Sequence, residues 1–498
     1  MLSNARTVVL IGFLGQLFAF ARTAAMAYLF GTSVEIDAYN LALSLPIFLS
    51  SLVTGWLQAS FVGAYIDVGE NQSAQAARDY RSLAGLITLF LLTAFTIVLF
   101  AARQPLSSLL VPQHLGKTHD LTYSALALAP FILVPSAMSD FLALILSCHK
   151  RFLAASIAPI LNAVVSIAAL FAWPAGGLDS LLLSLIFGWL CQMGLLLVVL
   201  LRCGLGFVIP VAISLREVKA LISLFLPILP AVLFSNGTNL ILQSAFVRMG
   251  EGFVSTYGYA QRLNNALVQV IVVGLSSVLL PHLAGMLARS ERHEIVILFD
   301  RIIKSVLAIS FIAVVLVALY GADTILMLFG RGKFHQEQAN LVNQLWIVLT
   351  VATAPFAIST FFAKLFQAVR QPGKLGVSSL ISFCVTAATC QIGILTGSYL
   401  VIAGALGIAQ LFVLAYFGLA FQRELSADLH ISRYVSFVMF ATALAVVPMS
   451  VEMSIRHFGL ASQSSVSVLL RGSLFIAIFA AFALCFGLLK RISTETAP

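Results

Sequence analysis

Three cations stand inside apolar stretches long enough to cross a membrane: Arg22, Arg262 and Lys364. A charged side chain at such depth costs about 2.5–3.5 kcal/mol on insertion scales, so it faces a watery cavity or an anionic partner rather than lipid. Guanidinium stays charged and offers forked donors that match phosphate oxygens, which makes Arg22 and Arg262 candidates for a phosphate or diphosphate. Lys364 lies only a few residues from Arg370, and its long stem can carry the amine to the interface.

Uncharged polar residues accompany the arginines. Gln16 lies about 9 Å along a helix axis from Arg22 and some 120° around it, a spacing that lets both border one broad cavity. Asn236, Asn239 and Gln243 recur at intervals of three and four, hence on one helix face. That face either lines a cavity or links neighbouring helices. Pro227 and Pro230 should kink the same segment and free backbone carbonyls. Asn264 and Asn265 follow Arg262 directly on the chain. Asp140 lies about 15 Å before a basic turn, His149-Lys150-Arg151, and is a candidate for a coupling proton or cation, or for pairing with a neighbouring cation.

The elements that must position these residues follow from composition. The chain has 498 residues, 60% hydrophobic and 9% charged, with a mean hydropathy of +1.04. Soluble domains carry about 25% charged residues, so this is the composition of a polytopic membrane protein. The net charge of +9 sits in short loops between apolar runs, without the basic tail or basic-aromatic cluster of a nucleic-acid binder. The 6 cysteines are scattered and show no metal-ligand spacing. No H-E-x-x-H, G-x-S-x-G or Walker A run occurs, and no cofactor is implied, which favours a transporter over an enzyme. Arg6 and the Ala25-Met26-Ala27 run imitate a signal peptide, but Arg22 interrupts the apolar stretch and a retained first helix is expected.

The pattern predicts an all-α protein of about fourteen transmembrane helices, near 8–30, 38–64, 82–102, 121–147, 153–174, 179–201, 221–246, 253–284, 303–320, 343–368, 375–397, 399–421, 434–455 and 467–489. Residues 322–328 form a short apolar piece, and 207–219 and 288–304 read as amphipathic connectors. With both termini inside, about eighteen basic residues fall on the inner side, among them Arg78, Arg81, Lys150, Arg151, Arg202 and Lys304, against about seven outside. Residues 146–166 and 366–386 share one build, a helix end, a basic turn and a small-residue helix start. They suggest two pseudo-symmetric six-helix lobes, 1–205 and 206–425, around a central cavity, with two further helices in 426–498.

Four stretches carry a family resemblance. Phe20-Ala21-Arg22 with Leu29-Phe30-Gly31, Asp37-Ala38 and Leu45-Pro46 opens it. Arg151-Phe152 with Ala158-Pro159 and Asn162 continues it, then Tyr259-Ala260 with Arg262-Leu263 and Leu279-Leu280-Pro281, then Leu328-Phe329-Gly330 with Gly332-Lys333-Phe334. In order and spacing these resemble the MurJ (MviN) family of lipid II flippases, within the multidrug/oligosaccharidyl-lipid/polysaccharide (MOP) exporter superfamily.

The resemblance implies an inner-membrane flippase that alternates between inward- and outward-facing states around an undecaprenyl-diphosphate-linked saccharide, possessing Arg22 and Arg262 as diphosphate ligands. It places Asp37 at the outer end of the second helix, where it could help close an outer gate. Gln16 and Ser50-Ser51 stand where typical members carry arginines, so the pattern is that of a divergent member. The eleventh helix has no acid, which argues against sodium held there, and leaves membrane potential or another ion gradient as the energy source. Another undecaprenyl-linked glycan, such as an exopolysaccharide or O-antigen unit, is the alternative cargo, and a small-molecule or drug exporter of the same superfamily is the alternative class. Membrane lipids and nearby cell-wall synthesis machinery are the expected surroundings, with the chain acting as a monomer.

Overall fold

The computed structural model describes residues 2–71, 73–208, 229–273, 291–369, 371 and 373–425, with isolated positions at 279–289 and beyond 425. Every regular element among the described residues is helical. Nine helical stretches among them are long and apolar enough to cross a membrane, and the chain is a multi-pass membrane protein. The predicted helices 434–455 and 467–489 lie outside the described residues, isolated positions apart. The same holds for most of the amphipathic connector predicted at 207–219. The chain divides into two compact units, Met1–Ser255 and Thr256–Pro498.

The first unit opens with α1 (Leu2–Phe30), which turns at Gly31 (φ 62°) into α2 (Val34–Trp56). Helix α2 passes through a π-helical stretch, Leu57–Phe61, before continuing as α3 (Val62–Asn71). A π turn carries one residue too many for the α ladder and tends to sit where a helix works. Ser33 and Ser73 start α2 and α4 (Ala74–Ala101) in extended geometry, and Ser73 accepts a hydrogen bond from the Ala76 amide.

A short α5 (Arg103–Leu110) leads to α6 (Gly116–Leu128), a 3₁₀ turn containing Pro130, and α7 (Leu133–Cys148). Proline lacks the amide donor that would keep the α ladder regular here. The tight basic turn at His149–Arg151, with Lys150 at φ 58°, sends the chain into α8 (Phe152–Ala172) and then α9 (Gly177–Arg202). Helix α10 (Leu229–Val247) packs against α2, and α11 begins at Phe253, so the first unit includes the seventh predicted span.

Two apolar cores fill this unit. One surrounds Trp56, Phe61, Phe141 and Leu196; the other surrounds Met26, Tyr39, Leu126 and Leu182. Between membrane spans the alternative to such packing is lipid rather than water, so these cores hold the helices by close van der Waals fit.

The second unit continues α11 (Phe253–Val268) through a second π stretch, Gln269–Val273. The sequence pattern at 288–328 predicts a connector, a short span and a separate apolar piece. The structure instead runs α12 unbroken over Arg292–Phe329, 38 residues. No proline interrupts it. The charge that made residue 304 look interfacial is accommodated: Lys304, only 1% exposed, pairs with Asp300 one turn earlier at 2.9 Å. Paired, two ions bury at far lower cost than either alone. Helices α13 (Gln336–Val351), α14 (Thr353–Ala368), α15 (Gly373–Thr396) and α16 (Tyr399–Leu425) complete the described unit. Its core joins Phe299, Phe361, Phe362, Phe366, Phe417 and Phe421.

Candidate functional site

Arg22 is half-buried on α1, and its Nη2 donates to the Tyr39 hydroxyl at 2.8 Å. Tyr39 comes from α2 and is buried. Among the described residues no carboxylate pairs with Arg22. A guanidinium offers five N–H donors, so one hydroxyl orients the group and leaves its charge and most donors free. Tyr39 was not among the residues singled out from sequence. A signal existed: Arg22 lies nine residues before the three-residue turn 31–33 begins and Tyr39 six after it ends, so the hairpin brings them within about one helical turn of the same depth.

Two residues before Tyr39, Asp37 is fully buried and spends both carboxylate oxygens on the start of α11. Oδ2 accepts from the Gly252 amide at 2.6 Å and Oδ1 from the Ser255 amide at 2.7 Å. The first amides of a helix have no partners within it and carry its positive pole, so a carboxylate is the natural cap. Ser255 closes the arrangement by donating its hydroxyl to the Gly252 carbonyl at 2.9 Å. Gly252 is required twice over: its φ is 84°, and a Cβ there would lie 2.9 Å from the Thr32 carbonyl oxygen.

The amide stripe on α10 points away from that helix's buried face. Gly237, Thr238, Leu242 and Ala245 are buried, whereas Asn239 is exposed and Asn236 and Gln243 are half-buried. Asn236 donates to the Val232 carbonyl of its own helix at 2.9 Å. Gln16 is exposed on α1 and is not drawn to Arg22. Asp140, half-buried on α7, accepts one hydrogen bond from the Thr54 hydroxyl at 3.1 Å, one turn before the π stretch of α2. No cation pairs with it among the described residues.

In the second unit, Arg262 is half-buried on α11 and has a polar or ring partner of its own. Asn264 accepts from the Thr353 hydroxyl of α14 at 3.2 Å, while Asn265 is exposed. Among the described residues no three His, Cys, Asp or Glu side chains cluster closely enough to hold a metal ion.

Membrane-length helices thus carry a half-buried arginine, an internal carboxylate and π turns in the second and eighth predicted spans. The fold has solved counterparts. It matches a solved structure of lipid II flippase MurJ in an inward closed conformation with a TM-score of 0.80 at 15% identity, covering 97% of this chain and 98% of that one. It also matches an inward-facing MATE family transporter of the MOP superfamily, with a TM-score of 0.70 at 15% identity over 83% of this chain and 94% of that one.

The family follows from sequence. The model of the lipid II flippase MurJ family matches residues 26–475, and the chain belongs to that family. Among its relatives are probable lipid II flippases MurJ from Rhizobium tropici and Rhizobium meliloti (strain 1021). The first is 26% identical over 423 residues, spanning 80% of this chain and 78% of the relative. The second is 25% identical over 503 residues, spanning 95% and 91%. The all-helical fold and the family expected from the four motif stretches are thus both found.

Proposed function

We propose that this protein carries a polyprenyl-diphosphate-linked saccharide, namely lipid II, from the inner to the outer leaflet by alternating access. The observation that carries the reading is Arg22, a half-buried guanidinium oriented by a neutral phenol and left without a carboxylate among the described residues. A diphosphate supplies the missing anion through charge-assisted hydrogen bonds. Arg262, also half-buried at membrane depth, is the second unit's candidate for the same chemistry. Asp37, locked on the first amides of α11, serves as a latch whose opening would free that helix start. Asp140 is the candidate for the coupling proton or cation, since a single hydroxyl contact leaves its charge uncompensated. The exposed amides Asn239 and Asn265, with Gln16, Asn236, Gln243 and Asn264, offer uncharged donors to the saccharide or diphosphate. The basic residues favour both termini on the cytoplasmic side of the bacterial inner membrane.

The test is to deplete the protein in cells and identify which polyprenyl-linked saccharide accumulates on the cytoplasmic face. Accumulation of lipid II is expected, reversed by the native protein and not by Arg22→Ala. Undisturbed peptidoglycan precursor traffic with a different glycan stalled would replace the cargo. Full rescue by Arg22→Ala would remove the site.

A further inference from the structure

We propose that the segment leaving α9, Gly204–Val208, is a strap fastened to the first unit by a hydrogen-bond chain running Arg81–Tyr65–His149, and that protonation of His149 unfastens it. The strap begins where Gly204, at φ 73°, turns the chain out of α9, with the Leu205 amide bonded back to Leu200 at 3.0 Å. Two residues of α4 then grip it. Arg81 Nη2 donates to the Gly206 carbonyl at 2.6 Å, and the Val208 amide donates to Ser82 Oγ at 2.9 Å. Between these bonds Phe207 lies against Phe141, ring centroids 6.3 Å apart, over Gly85, where a Cβ would come within 3.0 Å of the Phe207 ring.

Arg81 is itself held. It is 3% exposed, and its Nη1 donates to the Tyr65 hydroxyl at 3.2 Å. Tyr65, buried and stacked on Phe61, lies 2.8 Å from His149 Nε2. Counting protons assigns the directions. With the Tyr65 oxygen accepting from Arg81, we assign the Tyr65 O–H to His149 Nε2 as the unprotonated ring nitrogen, the tautomer that gives that phenol proton an acceptor. His149 is the exposed end of the chain, open to water while Tyr65 and Arg81 are buried.

A proton on Nε2 would turn an acceptor into a second donor aimed at the same oxygen. It would also add a positive charge beside Arg81. Among the described residues no carboxylate forms an ion pair with His149. From α3 the facing group is Tyr65, because Asp67 is engaged by Asn71 at 2.7 Å; from α4 it is Arg81. The histidine's own turn supplies Cys148, Lys150 and Arg151, and the last turn of α9 supplies Arg202. Partial burial of the ring, one side of which lies against Tyr65, and then the Arg81 charge hold the His149 imidazole below its usual range. The fastened strap therefore prefers neutral His149. Its extra stability is complete above the ordinary imidazole value and is lost as pH falls through the lowered one.

Amide exchange at Val208 in the full chain, in lipid nanodiscs without substrate, reads the strap directly, and so its failure is separable from failure of the flippase reading. After correction for intrinsic exchange, protection should fall by up to about tenfold per pH unit on the acid side, as one-proton linkage dictates. His149→Gln, whose amide oxygen still accepts from Tyr65, should keep protection flat across the range. Tyr65→Phe should lower it at every pH. Unchanged protection in the native protein down to pH about 5, well below the ordinary imidazole value of about 6.5, would overturn the proposal. So would a His149→Gln variant that titrates like the native protein, an outcome that does not depend on Tyr65→Phe folding.

Discussion

The first unit uses an arginine–tyrosine pair twice, some 40 Å apart along the nearly continuous helix that runs from Asp37 to Tyr65. At one end Arg22 is half-buried and holds a single hydroxyl. At the other, Arg81 is buried, and its two outer nitrogens are spent on Tyr65 and the Gly206 carbonyl. The residue types are the same and the outcomes opposite. Arg81 has been turned into a fastening: both outer nitrogens hold the protein itself, while its buried Nε has no partner among the described residues. Arg22 has been oriented without being neutralised, which is what an anion site requires. The lesson is that depth alone does not mark a functional arginine; an accessible guanidinium whose outer nitrogens the protein has not both tied down does.

Asp37 belongs to the Arg22 end, and removing it should cost most. Asp37→Ala leaves the Gly252 and Ser255 amides buried without their acceptor, and each charge-assisted bond is worth about 1.5–3 kcal/mol. The expected result is a sharp fall in thermal stability together with loss of transport in a vesicle assay. Gly252→Ala should reproduce part of it, because the added Cβ meets the Thr32 carbonyl and the φ is unfavourable.

The arginines come next and break the comparison most directly. Arg22→Ala should weaken binding of a diphosphate-linked lipid by about 10- to 150-fold, from about 1.5–3 kcal/mol of lost charged hydrogen bonding, with little change in melting temperature. Arg81→Ala should do the reverse: binding near native, stability lower by about 1–3 kcal/mol as the Gly206 carbonyl and Tyr65 hydroxyl lose their donor. Binding measured by native mass spectrometry beside thermal melts would separate the two. If both variants lost affinity equally with stability intact, the distinction between a spent and an unspent guanidinium would be wrong.

How far the sequence foretold this depends on what each residue needed for recognition. Arg22, Arg262 and Asp140 stood out because a polar group in an apolar run is conspicuous wherever it folds, whereas Asp37 came from the family resemblance. The helical class and most span positions followed from hydropathy for the same reason. Arg81 and Lys304 were read as loop cations because they sit near the ends of apolar runs, and hydropathy cannot see the Tyr65, Gly206 or Asp300 that lets such a charge go inside. Tyr65 was invisible on another ground: it is an ordinary aromatic until its hydroxyl meets Arg81 and His149. The α10 amides were legible as a stripe, but only packing against α2 shows that the stripe is the face left over.

The smallest expected effect tests the comparison most finely. Tyr39→Phe keeps the buried ring and removes one neutral acceptor from Arg22, which leaves the guanidinium charged but no longer aimed. A hydrogen bond of that kind is worth about 0.5–1.5 kcal/mol net, so affinity for the diphosphate lipid should fall by about 2- to 13-fold. Arg22→Lys, in contrast, keeps the charge and gives up the fork, and should lose more than Tyr39→Phe because bidentate contact needs the planar group. The double variant Arg22→Lys with Tyr39→Phe then decides what the tyrosine does. If Tyr39 acts by orienting the guanidinium, its removal should add little once the guanidinium is gone, and the two losses will fall short of their sum. Additive losses would mean that the Tyr39 hydroxyl acts independently of the guanidinium, and no loss in Tyr39→Phe alone would mean that Tyr39 only packs.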